Sequence, residues 1–398
     1  MSRTIKRVAV LICMLTCVLA LAFSAAAENR PRARDLGIPF DGTPGPYNAI
    51  TDVKGVEVGY ATIISGQGKL VVGKGPVRTG VTAILPLGQG SMNKPVFAGW
   101  FSQNGNGEMT GTTWVEESGF LEGPVMITNT HSVGVVRDAV IAWRVKQGGP
   151  DATGYWWSLP VVAETWDGEL NDVNGFQVKP SHVFAALESA KSGPIAEGNV
   201  GGGTGMICYE FKGGTGTASR KLSERSGGYT VGVLVQANHG LRHQLRISGV
   251  PVGQEIREDA PYSKGEGLGD EQGSIIIVIG TDAPLLPHQL KRLARRATMG
   301  LACTGATSGN GSGDIFMAFS TANPEAGKVE GVIPLRMLPN DRMNPLFEAT
   351  VQAIEEAIIN ALVAAETMTG INGTKIIALP HDRLRQVMKK YNRLEERK

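Results

Sequence analysis

Gly273-Ser274-Ile275-Ile276-Ile277-Val278-Ile279-Gly280-Thr281-Asp282-Ala283-Pro284-Leu285 is the stretch from which the fold is read. Ile275 to Ile279 run without polar alternation, the pattern of a strand buried on both faces. Before it, from about Gly253 to Gly273, the chain is charged and glycine-rich, with Glu255, Arg257, Glu258, Asp259, Lys264, Glu266, Asp270 and Glu271 and no apolar period. That segment reads as an exposed loop. Loop and core strand therefore meet at Gly273-Ser274.

Further strand-like runs lie outward from this junction at Val81 to Leu85, Val125 to Thr128 and Val231 to Gln236, each bounded by turn residues. Helical periods separate them. Ser181 is a candidate cap for a helix through Val183, Phe184, Leu187 and Ala190 that stops near Gly193. A second helix starts at Pro287, turns Leu290 and Leu293 inward, and shows Lys291, Arg292, Arg295 and Arg296 outward. A third follows Asn344-Pro345, with Val351, Ile354, Ile358 and Leu362 at helical spacing and Gly370 as its stop. Interleaved strands and helices predict a layered α/β fold with helices packed on sheets.

The chain has 398 residues, 42% of them apolar and 19% charged, enough to bury a large core. Its 53 glycines point to tight turns and close backbone approaches. A net charge of +2 gives no reason to expect nucleic acid or a lipid surface as partner. Residues 1–27 read as a signal peptide: Arg3, Lys6 and Arg7 lead an apolar run from Val8 to Phe23, and Ser24-Ala25-Ala26-Ala27 offers small residues for cleavage before Glu28. A retained membrane anchor is the alternative, although the run is short of the about 20 apolar residues a span needs. A lipoprotein site at Cys17 fits poorly, because Thr16 stands where a smaller residue is preferred. Export to the periplasm is the expectation. Removal of the leader takes Cys13 and Cys17, leaving Cys208 and Cys303, which read as structural and whose bridging stays open.

A serine heading a core strand has its hydroxyl fixed by strand packing. Gly273 leaves its own carbonyl open to attack and tolerates a strained backbone. Attack of the Ser274 hydroxyl on that carbonyl would shift the acyl group from N to O, and hydrolysis would free a new α-amine. Such an amine, whose pKa in simple peptides is about 7.7–8.0, suits the role of base beside its own hydroxyl. An ordinary turn ending at Gly-Ser is the plainer alternative. Other signals are weaker. His239 and His243 stand four residues apart but have no third metal ligand in place, so no metal is assigned. Gly201 to Gly205 lacks the Gly-Lys-Ser/Thr ending of a phosphate loop and reads as close backbone packing near a site. Gly309 to Gly313 does not fit a hydrolase elbow, because Asn310 lies two before Ser312. No cofactor is called for.

The Gly273 to Leu285 block resembles the nucleophile region of the β-aminopeptidases and L-aminopeptidase/D-amidase-esterases of the DmpA type. Val161-Val162-Ala163-Glu164-Thr165, Gly198-Asn199-Val200-Gly201-Gly202-Gly203-Thr204-Gly205-Met206 and Val233-Leu234-Val235-Gln236-Ala237-Asn238-His239-Gly240 are similar too, as is Asn48-Ala49-Ile50-Thr51-Asp52-Val53. The blocks occur in order over nearly the whole mature chain. The resemblance implies a four-layer αββα sandwich, N-terminal-nucleophile-like with its own connectivity. It also implies self-cleavage into an α chain (residues 28–273) and a β chain (residues 274–398) of one catalytic domain, assembled as a homotetramer of αβ units. Periodicity and spacing are consistent with this but do not establish it.

By the same resemblance Ser274 is the nucleophile, and Ser312 a second serine hydrogen-bonding around it and its new amine. Asp314 falls where some relatives have Glu, which puts the reach of the shorter arm in question. Glu164 faces the free amine of a small peptide or amino-acid amide substrate, and Asn238 is an oxyanion donor. Trp166 falls where some relatives place a tyrosine; an indole has no hydroxyl, so it receives no such role. Taken singly, Ser312 reads as a loop residue, Asp314 as a cap, Asn238-His239-Gly240 as a turn, and Glu164 with Asp167, Glu169 and Asp172 as a solvated acidic loop. The leading expectation is hydrolysis of the first amide bond of short peptides, amides or esters through an acyl-enzyme on Ser274. Acyl transfer of the ornithine acetyltransferase type is the alternative, although those enzymes use threonine. Whether β-, L- or D-residues are released stays open, with a lean to β.

Overall fold

The computed structural model describes residues 30–91, 94–149, 151–261 and 273–395. The leader read at 1–27, with Cys13 and Cys17, lies outside the described residues, as does 262–272 within the charged segment. Among the described residues the strands are β1 (Glu57–Ser65), β2 (Val77–Leu85), β3 (Val96–Gly105), β4 (Phe120–Leu121), β5 (Val125–Asn129), β6 (Val161–Thr165), β7 (Ile207–Cys208), β8 (Phe211–Lys212), β9 (Gly214–Lys221), β10 (Thr230–Asn238), β11 (Ser274–Thr281) and β12 (Gly313–Ser320), followed by a small pair near residue 370.

These strands make two large sheets, one of four strands in the order β1-β2-β5-β6 and one of six in the order β4-β3-β12-β11-β10-β9. Every residue of β10 and β11 is buried, as the unbroken aliphatic run requires. Alternation divides the two faces. Leu234, Ile276 and Val278 meet Ile84, Ile127, Val161 and Ala163 of the other sheet. Val233, Val235, Ile275, Ile277 and Ile279 instead pack on the helices Pro287–Ala294, Ala297–Cys303 and Asn344–Ala364. On the far side of the four-stranded sheet, Val81, Ala83, Met126 and Val162 bury against the helices Val133–Lys146 and Pro180–Glu188. Helix, sheet, sheet, helix: the fold is the four-layer αββα sandwich. Each aliphatic side chain taken from water into these layers contributes about 1.5–3 kcal/mol.

Three helix boundaries differ from the sequence reading, one of them the end expected near Gly193, which falls at Glu188. The helix read from Ser181 begins at Pro180, whose fixed φ suits a first helical turn, and His182 Nδ1 accepts the Lys179 N–H at 3.0 Å. The helix read to Gly370 ends at Ala364. Its terminal carbonyls are satisfied from afar, Ala364 O by Arg30 at 3.0 Å and Val363 O by His381 at 2.8 Å, so no glycine is needed to finish it. Cys208 and Cys303 are not bridged to each other; Cys208 is buried and Cys303 is exposed.

Candidate active site

Strand register places the candidate residues in one row. Asn238, the last residue of β10, lies opposite Ser274, the first of β11. Because β11 and β12 run parallel and start level, Ser274 in turn lies beside Gly313. The Gly313 N–H is 3.1 Å from Ser274 Oγ and 3.2 Å from Gly273 O, so one backbone donor serves both the candidate nucleophile and the carbonyl preceding it.

Glycine at 273 is required for packing. A Cβ there would fall 2.2 Å from the Asn238 carbonyl oxygen and 2.6 Å from His239 Cα. Its φ is not among the left-handed ones, so the strained backbone allowed by the sequence is not what the glycine provides. Gly313 is equally constrained: a Cβ would lie 2.4 Å from Asn106 O.

Ser312 and Asp314 flank that glycine and are buried. The Ser312 hydroxyl donates to Asp314 Oδ1 at 2.7 Å, and Ser312 meets the nucleophile region through the neighbouring Gly313 amide. Burial pushes the Asp314 carboxyl above its usual range, against the pull of hydrogen bonds from Ser308, Ser312 and the Ile275 amide. The aspartate arm is thus long enough to hold the serine. Asp314 is not a cap for a following helix; it lies within β12.

Glu164 enters from the end of β6 in the other sheet. Its Oε1 accepts the Glu108 N–H at 3.0 Å, and its Oε2 accepts the Thr130 hydroxyl. Gly107 bridges the two sheets here, since a Cβ on it would lie 3.2 Å from both Glu164 Oε1 and Gly313 Cα. The carboxylate therefore faces, across a single glycine, the backbone that binds Ser274 Oγ. Burial raises its pKa, opposed by the Thr130 and Glu108 hydrogen bonds. The structure corrects the reading of a solvated acidic loop: Glu169 is exposed, but Asp167 and Asp172 are buried. Asp172 Oδ2 accepts the Gly73 and Gly75 N–H groups at 2.8 and 3.1 Å. Asp167 is bonded by Asn171 at 3.0 Å, and burial pushes its carboxyl up to about 6.

Asn238 accepts the Ile207 N–H on Oδ1 at 2.7 Å, which leaves the amide its N–H donors to offer. Gly201–Gly205 forms a tight turn behind it, where a Cβ on Gly202 would lie 2.2 Å from Gln236 Oε1 and one on Gly203 2.3 Å from Thr215 N. Close packing is the use of these glycines. Trp166 is partly exposed, its ring 6.2 Å edge-on from His131. His239 is buried at the end of the same row, and burial lowers its pKa to about 3. Among the described residues no three His, Cys, Asp or Glu side chains gather as metal ligands. Sequence reasoning missed Thr130, which lies 34 residues from the carboxylate it binds and carries no motif, and it missed the Gly313 amide, which no side chain announces.

A buried serine at the head of a central strand, in a sandwich of this layering, defines the class: an N-terminal-nucleophile (Ntn) hydrolase fold. The structure matches L-aminopeptidase D-ala-esterase/amidase from Ochrobactrum anthropi, described as a prototype for the serine aminopeptidases and a new variant among the Ntn hydrolase fold. The TM-score is 0.84 at 50% identity, over 92% of this chain and 100% of that one. A Burkholderia sp. β-aminopeptidase matches with a TM-score of 0.83 at 46% identity, again over 92% and 100%. In sequence, the chain is 58% identical over 386 residues to the β-peptidyl aminopeptidase BapA of Sphingosinicella microcystinivorans, covering 94% of this chain and 96% of that protein. The pattern of Peptidase family S58 matches residues 48–376, and the chain belongs to that family. It is a serine-type aminopeptidase, with the connectivity of the DmpA-type relatives.

Proposed function

We propose that this chain cuts itself between Gly273 and Ser274, and that the freed Ser274 then removes N-terminal residues, β-amino acids foremost, from short peptides, amides and esters bearing a free amine. The observation that carries this is the Gly313 N–H shared between Ser274 Oγ and Gly273 O. In self-cleavage, Ser274 Oγ bonds to the Gly273 carbonyl carbon, the C–N bond breaks, and the hydroxyl proton passes to the departing nitrogen. Water then splits the ester, leaving a Gly273 carboxylate and a Ser274 α-amine. In turnover that amine takes the Oγ proton, the substrate carbonyl acylates Oγ, the leaving amine receives the proton, and water frees the acyl group. Asn238 donates to the developing oxyanion, Glu164 pairs with the substrate ammonium, and Ser312 with Asp314 orders the protons around Ser274. The lean to β-residues rests on the 58% and 51% identity to the two β-peptidyl aminopeptidases. Residues 1–27 are read as a leader to the periplasm, and residues 28–273 and 274–398 as the two chains of αβ units assembled in a homotetramer.

Mass spectrometry and active-site labelling test the reading. Wild type yields two fragments, the smaller beginning at Ser274, and a serine-directed acylating inhibitor labels that residue; Ser274→Ala stays whole and inactive. An intact wild-type chain with full activity, or an adduct on Ser312 with Ser274 unmodified, would overturn it.

A further inference from the structure

Lys212, at the end of β8, is wholly buried. Among the described residues no carboxylate pairs with it; its three N–H donors go to backbone carbonyls instead, Met206 O and Gly213 O at 2.8 Å and Gly203 O at 3.4 Å. Burial pulls its ammonium down to about 7. A leucine or methionine would fill the space without that desolvation cost.

The hairpin that carries Lys212 is unusual. Its two loop residues, Tyr209 and Glu210, both adopt left-handed φ, +50° and +59°, with no glycine at either place. Arg242 holds the loop in this form: its guanidinium donates to Tyr209 O at 3.0 Å and Glu210 O at 2.6 Å and lies 3.4 Å over the Phe211 ring. Such strain persists only where the surroundings over-determine it. The hairpin's other ties run to the strand end that bears Asn238. Tyr209 N–H donates to His239 O at 2.6 Å, and Ile207 N–H to Asn238 Oδ1 at 2.7 Å.

The peptide unit between Met206 and Ile207 joins these facts. Lys212 Nζ sits on its carbonyl, and its N–H is the group that fixes the Asn238 amide. A cation on the oxygen of a peptide group draws charge toward that oxygen and strengthens the N–H as a donor. We infer that Lys212 is a positioning residue for the reaction: through the Met206–Ile207 peptide it pins Asn238 Oδ1, so that the amide N–H donors are pre-aimed at the oxyanion. This rests on the oxyanion role proposed for Asn238. The lysine touches neither substrate nor nucleophile, and its effect lies in the acylation barrier, not in substrate affinity.

A double-mutant cycle on the self-cut enzyme tests it, with rates normalised to cut chain measured by mass. Lys212→Met should lower kcat about ten-fold, a part of the about 10²–10³ that loss of one oxyanion donor costs, with KM changed less than about two-fold. In the Asn238→Ala background the same substitution should lower kcat no further. Lys212→Gln, which keeps a donor for the Met206 carbonyl, should fall between wild type and Lys212→Met; it also carries the cycle if Lys212→Met does not fold. Equal kcat losses from Lys212 substitution in both backgrounds would overturn the inference and leave Asn238 in its role. If Asn238→Ala alone leaves kcat unchanged, the oxyanion assignment itself fails, and the positioning role with it.

Discussion

The two sheets contribute to the site by different means. In the six-stranded sheet, position comes from register: Asn238, Ser274 and Gly313 stand in a row because three strands end or begin at one level, and a backbone N–H does the holding. In the four-stranded sheet, position comes from side chains: Glu164 is held by the Thr130 hydroxyl and an amide, with Asp167, Asn171 and Asp172 buried nearby in the same manner. Register tolerates almost no adjustment, since it is tied to a packed core. A carboxylate held by hydroxyls and amides stays titratable and can be retuned. Under the function proposed above, bond-breaking falls to the rigid half and selection of the substrate's amine to the adjustable half.

The largest expected effect comes from disturbing the register side. Gly273→Ala pushes a methyl into the Asn238 carbonyl and His239 Cα, moving the scissile bond away from Ser274 Oγ. Self-cleavage followed by electrophoresis over time should slow about 10²-fold, the cost of a misplacement near 1 Å. Cleavage at the wild-type rate would show that the row is softer than its packing implies.

A smaller effect is expected on the other side. Glu164→Gln should cut kcat/KM for free-amine p-nitroanilides about ten- to hundred-fold, the worth of a hydrogen bond to a charged group, while self-cleavage continues unchanged. Burial holds the Glu164 pKa above the usual range, so wild-type kcat/KM should fall, as pH drops, at a higher pH than an ordinary glutamate would give. In the glutamine variant the Glu164 contribution should be lost, so that the acid limb steepened by two ionisations in wild type falls with the single slope of the Ser274 amine. Equal turnover of N-acetylated and free substrates by wild type would remove Glu164 from the amine site.

The smallest effect on turnover is expected at Asp167, where the change is in stability alone. Asp167 has its carboxyl raised from 3.8 to about 6, so the folded state holds that proton more tightly than the unfolded chain. Its contribution is fully present below about 3.8 and is lost as pH rises through about 6. Asp167→Asn keeps an acceptor for Asn171 and removes the charge. The variant should gain up to about 3 kcal/mol on wild type between pH 4 and pH 7, read as a Tm difference that grows with pH. A pH-independent difference would mean that Asp167 is not the titrating group.

Much of the rigid half was legible in the sequence, because its signals are local. Ile275 to Ile279 announce a strand buried on both faces, and Gly273-Ser274 marks where it starts. The adjustable half was not. Asp167 and Asp172 look solvated until β2 and its neighbouring turn close over them, and Thr130 is linked to Glu164 only by the fold. Lys212 likewise gives no sign in the sequence that its partners are three carbonyls. The helix end misread at Gly370 fails for the same reason, since Arg30 and His381 supply from a distance what a local cap would have supplied.

The place of β11 within its sheet bears on timing. It lies between β10 and β12, and β12 in turn pairs with β3, so the segment beginning at Ser274 is interlaced with the earlier chain along two borders. In the self-cleavage proposed above, the Ser274 amine would form inside that weave, once the sheet has brought Gly313 beside the Gly273-Ser274 bond. In the uncut chain, Ser274 is an ordinary internal residue without a free amine. Under the self-cleavage proposed above, activity would wait on completion of this sheet, and no separate inhibitor would be needed to hold the uncut chain inactive.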